Sequence, residues 1–205
     1  FNQDISAWNV SSVTSMYRMF ATASSFNQNI SAWNMGKVTD TRGMFNGAIA
    51  FNQDISAWNV GKVTSMDNMF GAAAAFNQDI SAWNVSSVTS MGYMFTNAHA
   101  FNQNISGWNV SSVTFMDGMF NGAKKFSQDI SLWDVSSVWS MQSMFQGAST
   151  FNQNLCMWKD MMPFLTEEIP KEMIKPENRP KLRPVPSTLG ATITIEGAEG
   201  VPLPV

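Results

Sequence analysis

The sequence predicts a repeat solenoid, and three observations carry that expectation. The stretch FNQDISAWNVSSVTSMYRMF at residues 1–20 returns at residues 26, 51, 76, 101 and 126, a fixed period of 25 residues. A seventh copy opens FNQN at residue 151 and then decays. All eight tryptophans lie at or before Trp158, whereas all eight prolines lie beyond residue 160. The expected organisation is one elongated repeat domain over 1–158, a C-terminal cap over 159–175, and a Pro-rich extended tail over 176–205.

Composition removes several classes of function. The net charge is −3, and residues 1–150 hold Asp 8 against Lys+Arg 6 with no basic cluster. Nucleic acid and anionic membrane both require such clustering, so neither is an expected partner. A single cysteine, Cys156, excludes an internal disulfide framework. No apolar run is long enough to span a bilayer, and there is no signal peptide. Phe1 begins flush with the repeat, so the sequence reads as a piece cut from a longer chain.

Stacking the copies separates inside from outside. Phe holds position 1 and Trp position 8 in all seven copies; Ile holds position 5 until Leu155. Val13, Met16, Met19, Phe20 and Ala23 recur with helical spacing, so a short helix or 3₁₀ segment is expected there. Thr14 and its equivalents supply an N-cap, Thr64-Ser-Met-Asp67 resembles a capping box, and Gly47, Gly122 and Gly147 stand where the helix should stop. Residues 2–7 are too short for a helix and centre on β-branched Ile5, so they are expected to pair as a parallel ladder of strands. One short parallel strand and one short helix or 3₁₀ segment per 25-residue coil is a leucine-rich-repeat-like α/β solenoid of about six to seven coils. Gln at position 3 and Asn at position 9 (Asp134 in the sixth copy) are expected to form amide ladders, bonding the coils above and below or satisfying turn backbone, with position 9 shielded.

These residues resemble the BspA-like repeat family of surface proteins, whose copies look like FNQDISxWNVSSVTxMxxMFxxAxx. The resemblance covers residues 1–150 closely and 151–158 in part, with Thr41 and Trp139 as departures inside the array. Similar arrays occur in mycoplasma surface lipoproteins and in some microbial eukaryotes. The resemblance implies an exported or cell-surface protein used in adhesion or assembly, with no catalytic residues to carry over.

Candidate sites lie on the polar columns. Position 4 runs Asp4, Asn29, Asp54, Asp79, Asn104, Asp129, Asn154. On a parallel ladder Asp54 and Asp79 occupy adjacent rungs, an arrangement of oxygens that calcium could use, set against a simple solvated stripe. Sequons occur at Asn9, Asn29, Asn84, Asn104 and Asn109. Asn29 and Asn104 are the expected glycosylation acceptors, because position 9 is expected to be shielded. The tryptophan column is expected in the core, with an outward sugar-stacking face as the other option. One histidine, His99, and one cysteine, far apart in the repeat frame, assemble neither a zinc site nor a nucleophilic pair.

After Trp158 the chain changes character. Residues 176–186 hold four prolines and are expected to be extended. ATITIEG at 191–197 alternates β-branched residues and reads as a strand, which places Thr192, Ile193, Thr194 and Ile195 as a partner-docking segment. The expected function is a non-enzymatic extracellular structural or adhesive module of a larger surface or filament protein. Its partners are proteins, including further copies joined into a fibre through the tail. The alternative is a carbohydrate- or calcium-dependent binding module.

Overall fold

A computed structural model describes residues 1–161. Successive copies of the repeat form coils that stack in register, each meeting the next at an offset of one repeat. The joins differ from the sequence expectation in an instructive way. Positions 2–7 form no strand ladder. The coil-to-coil backbone bonds fall instead where a helix was expected, with parallel bridges at Ser15↔Asp40, Asp40↔Ser65, Ser65↔Ser90, Ser90↔Phe115 and Phe115↔Ser140.

The segment after position 15 is a run of tight turns. Met19 N–H donates to Met16 O at 3.2 Å, Ala21 N–H to Arg18 O at 3.0 Å, and Ala23 N–H to Phe20 O at 3.1 Å. A helix is prevented by left-handed backbone at two positions of every coil. Position 18 holds Arg18, Gly43, Asn68, Tyr93, Gly118 and Ser143; position 22 holds Thr22, Gly47, Ala72, Asn97, Gly122 and Gly147, all at positive φ. The apolar spacing of three residues suits serial turns as well as it suits a helix. Expected N-caps and capping boxes therefore have no helix to cap. Among the described residues the α-helix is α1, Cys156–Met161.

Alternating turns orient the intervening peptides alike. Met16 N–H donates to Asp40 O at 2.8 Å, Arg18 N–H to Arg42 O at 2.9 Å, Phe20 N–H to Met44 O at 2.8 Å, and Thr22 N–H to Asn46 O at 2.6 Å. The same peptides accept through their carbonyls from the preceding coil, so four columns of aligned peptides run along the stack. A fifth column runs the other way through Thr39 N–H to Thr14 O at 2.8 Å, and the Thr39 hydroxyl reaches the same carbonyl.

The core lies inside the coils and consists of aromatic columns. Phe45 stacks on Phe51 at 3.9 Å between ring centroids, and Phe51 on Phe76 at 6.0 Å. Trp58 stacks on Trp83 at 6.5 Å. The indole N–H of Trp83 donates to Ile55 O at 3.1 Å, and Trp33, Trp58, Trp108 and Trp133 repeat that bond one coil apart. Phe26 through Phe126 of the first column are fully buried, whereas Phe1 and Trp8 on the first coil are 62% and 53% exposed. Thr41, which replaces Met in its column, is fully buried and donates its hydroxyl to Ser65 O at 3.2 Å. That bond satisfies the polar group the substitution brings inside.

Candidate functional site

Of the two amide positions expected, position 3 bonds across coils and position 9 satisfies turn backbone, while position 2 adds an inter-coil ladder of its own. Asn34, Asn59, Asn84 and Asn109 at position 9 are exposed, and each accepts from the backbone two residues on, as Asn59 does from Gly61 N–H at 3.1 Å. They shape a turn within one coil and are not shielded. The inter-coil ladder belongs to position 2: Asn52 N–H donates to Asn27 Oδ1, Asn77 N–H to Asn52 Oδ1 and Asn102 N–H to Asn77 Oδ1, each at 2.9 Å. Gln at position 3 does bond across coils, as Gln78 Nε2 does to Asn52 O at 2.9 Å. Residue type alone could not separate positions 2 and 9, because both are Asn and the turn geometry decides which one faces its neighbour.

Asp54 and Asp79 are exposed and stand on successive coils. Asp54 Oδ1 accepts from Ser56 N–H and Asp79 Oδ1 from Ser81 N–H, both at 2.9 Å. These backbone bonds hold both carboxyls below their ordinary range, and the charge of Asp54 partly opposes this at Asp79. Asn29 and Asn104 are exposed and cap the same turn, through Ser31 N–H at 2.9 Å and Ser106 N–H at 3.0 Å. Asp and Asn interchange along the stripe because either side chain closes that turn. Among the described residues no three His, Cys, Asp or Glu side chains come together in a way that could hold a metal ion. Cys156 is buried in α1 and His99 is half-buried.

The tryptophan column carries its rings inside from Trp33 onward, so it offers no outward stacking face there. Outward variety is concentrated on the aligned-peptide face. Asp67 links the polar groups of two coils: Oδ2 accepts from Ser65 Oγ at 2.8 Å, and Oδ1 from Gly92 N–H at 2.8 Å and from Ser90 Oγ. Asp117 repeats this with Gln142 N–H at 2.7 Å and Ser140 Oγ. Large and small residues are matched between neighbouring coils. A Cβ at Gly92 would overlap the Phe115 ring, and one at Gly118 would sit 2.5 Å from Tyr93 Cδ1. Phe115 in turn packs against Trp139 at 5.6 Å, and Trp139 is 65% exposed. The sequence signal for these pairs is a glycine beside a bulky residue of an adjoining coil, two columns away for Gly92 and Phe115 and in the same column for Gly118 and Tyr93.

Thr192, Ile193, Thr194 and Ile195, the strand at 191–197, the tail at 176–205 and most of the cap at 159–175 lie outside the described residues. No helix among the described residues is long and apolar enough to cross a membrane.

Identical buried columns, in-register backbone joins and a variable outer face define a repeat protein. The chain belongs to the family described as "Mycoplasma protein of unknown function, DUF285", whose profile matches residues 1–83 and 68–163. No curated protein and no solved structure matches the chain.

Proposed function

We propose that this chain is a non-enzymatic extracellular module, structural or adhesive, within a larger surface or filament protein. In fold terms it is a solenoid related to leucine-rich repeats and to the BspA-like surface repeats, with backbone turns in place of regular strand and helix. One observation carries the reading. Each of the first five coils bonds the next through the backbone at positions 16, 18, 20 and 22, while side chains at 17, 18 and 21 change from copy to copy on that same face. Tyr17, Arg42, Asp67, Gly92, Asp117 and Gln142 share one column and no common chemistry. A uniform, cross-braced support with a changing outward strip suits recognition of large partners. A catalytic site would instead require converging titratable groups.

Assembly is tested by sedimentation velocity of the full chain over a range of concentrations, beside an Ile193→Lys/Ile195→Lys variant, with calcium and with chelator. Concentration-dependent polymers lost in the variant support strand donation through the tail. Monomers throughout remove the assembly half of the reading. Adhesion is then tested by retention of the labelled chain on intact host cells, and no retention over a coil-scrambled control removes that half too. A calcium-dependent shift would move the position-4 stripe into a binding role.

A further inference from the structure

A cavity of about 360 Å³ opens on the aligned-peptide face across the first three coils. Its walls are Tyr17, Arg18, Arg42, Asn46, Asp67 and Asn68. We infer that this notch binds a carboxylate-bearing sugar residue of a glycan chain. The inference goes beyond the assembly and adhesion reading and does not depend on it.

Arg18 is the reason to expect an anion. Among the described residues its guanidinium makes no hydrogen bond or ion pair, and it stands over the Tyr17 ring, 6.0 Å from ring centre to Cζ. The side chain is positioned at its base. Its backbone sits at φ 53°, and its stem lies against Gly43, where a Cβ would come 3.1 Å from Arg18 Cγ. A free fork of donors on a positioned stem matches a carboxylate in two-point contact.

The other charges are already committed. Arg42 donates from Nε to Asp40 Oδ1 at 3.0 Å and from Nη2 to Asp40 Oδ2 at 2.8 Å, and it stands 5.2 Å from the Tyr17 ring centre. Asp67 spends both oxygens on Ser65, Ser90 and Gly92, so it does not satisfy Arg18. Two cations and two carboxylates balance here, so attraction comes from Arg18's directed donors and the outer edge of Arg42, not from a net field. Binding of a single sugar residue is therefore weak and gains strength by repetition along a chain.

The rest of the wall selects a sugar over a bare carboxylate. Asn46 and Asn68 meet at 3.5 Å, a long contact that leaves amide donors and acceptors for ring hydroxyls. Tyr17, 54% exposed, adds an aromatic surface for the apolar side of a pyranose. The volume lies at the small end of the range for ligand cavities, which suits one monosaccharide unit.

The test is a titration of the ¹⁵N-labelled full chain with glucuronic acid, with glucose, acetate and a polyglutamate peptide in parallel arms. Saturable shifts are expected at Arg18, Gly43, Asn46 and Asn68 with glucuronic acid, with glucose and acetate each at least about tenfold weaker. Arg18→Gln keeps the backbone and stem but removes the fork, and should weaken glucuronic acid at least about tenfold, the factor for one lost charged hydrogen-bonded contact. Acetate binding as well as glucuronic acid would overturn the sugar assignment. Polyglutamate binding more tightly would reassign the notch to acidic protein segments and overturn it as well. Unchanged affinity in Arg18→Gln, or no saturable shifts at all, would overturn the site itself.

Discussion

Position 22 gives a test whose sign separates serial turns from a helix. Ala72 stands there at φ 54°, its N–H donating to Thr96 O at 2.6 Å, and Gly122 stands there two coils later at φ 68°, its N–H donating to Gln146 O at 2.7 Å. Left-handed backbone costs an L-residue about 1–2 kcal/mol, which Ala72→Gly would relieve. Against that stand about 0.4–1 kcal/mol of extra unfolded-state entropy for glycine and a fraction of the ~0.8 kcal/mol for one half-buried methyl. At the middle of these ranges the net expectation is a gain of a few tenths of a kcal/mol, or a melting temperature raised by about 1 °C. Gly122→Ala runs the other way. It places a methyl in left-handed backbone and against Asn97 Oδ1, for a loss of about 1–2 kcal/mol. In a helix the signs reverse, because alanine beats glycine by about 1 kcal/mol. Urea unfolding followed by tryptophan fluorescence reads both variants, with unchanged denaturant slopes as the check that only stability moved. If Ala72→Gly lowers stability by about 1 kcal/mol, the turn assignment at this column is refuted.

Other substitutions probe the core and the stripe. Trp83→Phe removes the indole N–H that reaches Ile55 O, leaves that carbonyl with the Trp58 N–H alone, opens a gap in the buried indole column, and should cost about 2 kcal/mol in the same unfolding assay. Trp8→Phe, at the exposed end of the column, should cost under about 1 kcal/mol. Equal losses would contradict the burial difference. The carboxyls of Asp4, Asp54 and Asp79 are held down chiefly by backbone bonds from Ser6, Ser56 and Ser81. Because their folded pKa values lie below the unfolded ones, the stability they give is present above about pH 4 and lost as pH falls through the folded values. Thermal melts from neutral to acid pH should show that loss, and it should shrink when Asp54 and Asp79 are changed to Asn, which still closes the turn. A steeper acid loss in the Asn variant would argue against the mechanism.

The repeat itself was fully legible in the sequence, because a 25-residue period is arithmetic on residue identities. Which columns are buried was legible for the same reason: Phe, Trp, Ile and Val hold their places while position 17 drifts. The backbone form was not. Val13, Met16, Phe20 and Ala23 repeat at spacings that a helix and a chain of three-residue closures share, and the tie is broken by φ. A trace of that was present, since Gly43, Gly118, Gly47, Gly122, Gly147, Asn68 and Asn97 cluster at the two left-handed positions. Arg18, Thr22, Ala72, Tyr93 and Ser143 fill the same positions and blur it. They are tolerated because the coils on either side fix the peptide that follows. The notch at Arg18 was not legible. It depends on a glycine in the next coil giving room to a stem, a relation between columns that no single copy contains.

The aligned peptides make register the property on which the whole array depends, and an excision of defined length exposes it. Removing residues 76–100 joins Ala75 to Phe101 and returns every column to its place. The Phe and Trp stacks stay continuous, Asn68 N–H meets Asp117 O in place of Gly92 O, and the four peptide columns close. Stability should fall, because one coil and one interface are lost from a nearest-neighbour array, but the near-ultraviolet circular dichroism of the tryptophan stack should keep its shape. Removing residues 76–99 takes away one residue fewer. Ala100 then enters the first position of the coil in place of Phe, Trp108 is displaced from the column of Trp58, and each N–H at positions 16 to 22 faces the wrong peptide. In a strand ladder a one-residue slip turns side chains inside out; here it also misaligns the donors, since alternate peptides point along the coil and not across it. The longer deletion should therefore fold and the shorter one should not. Equal behaviour of the two would show that the coils are held by apolar contact alone and that the backbone columns add little.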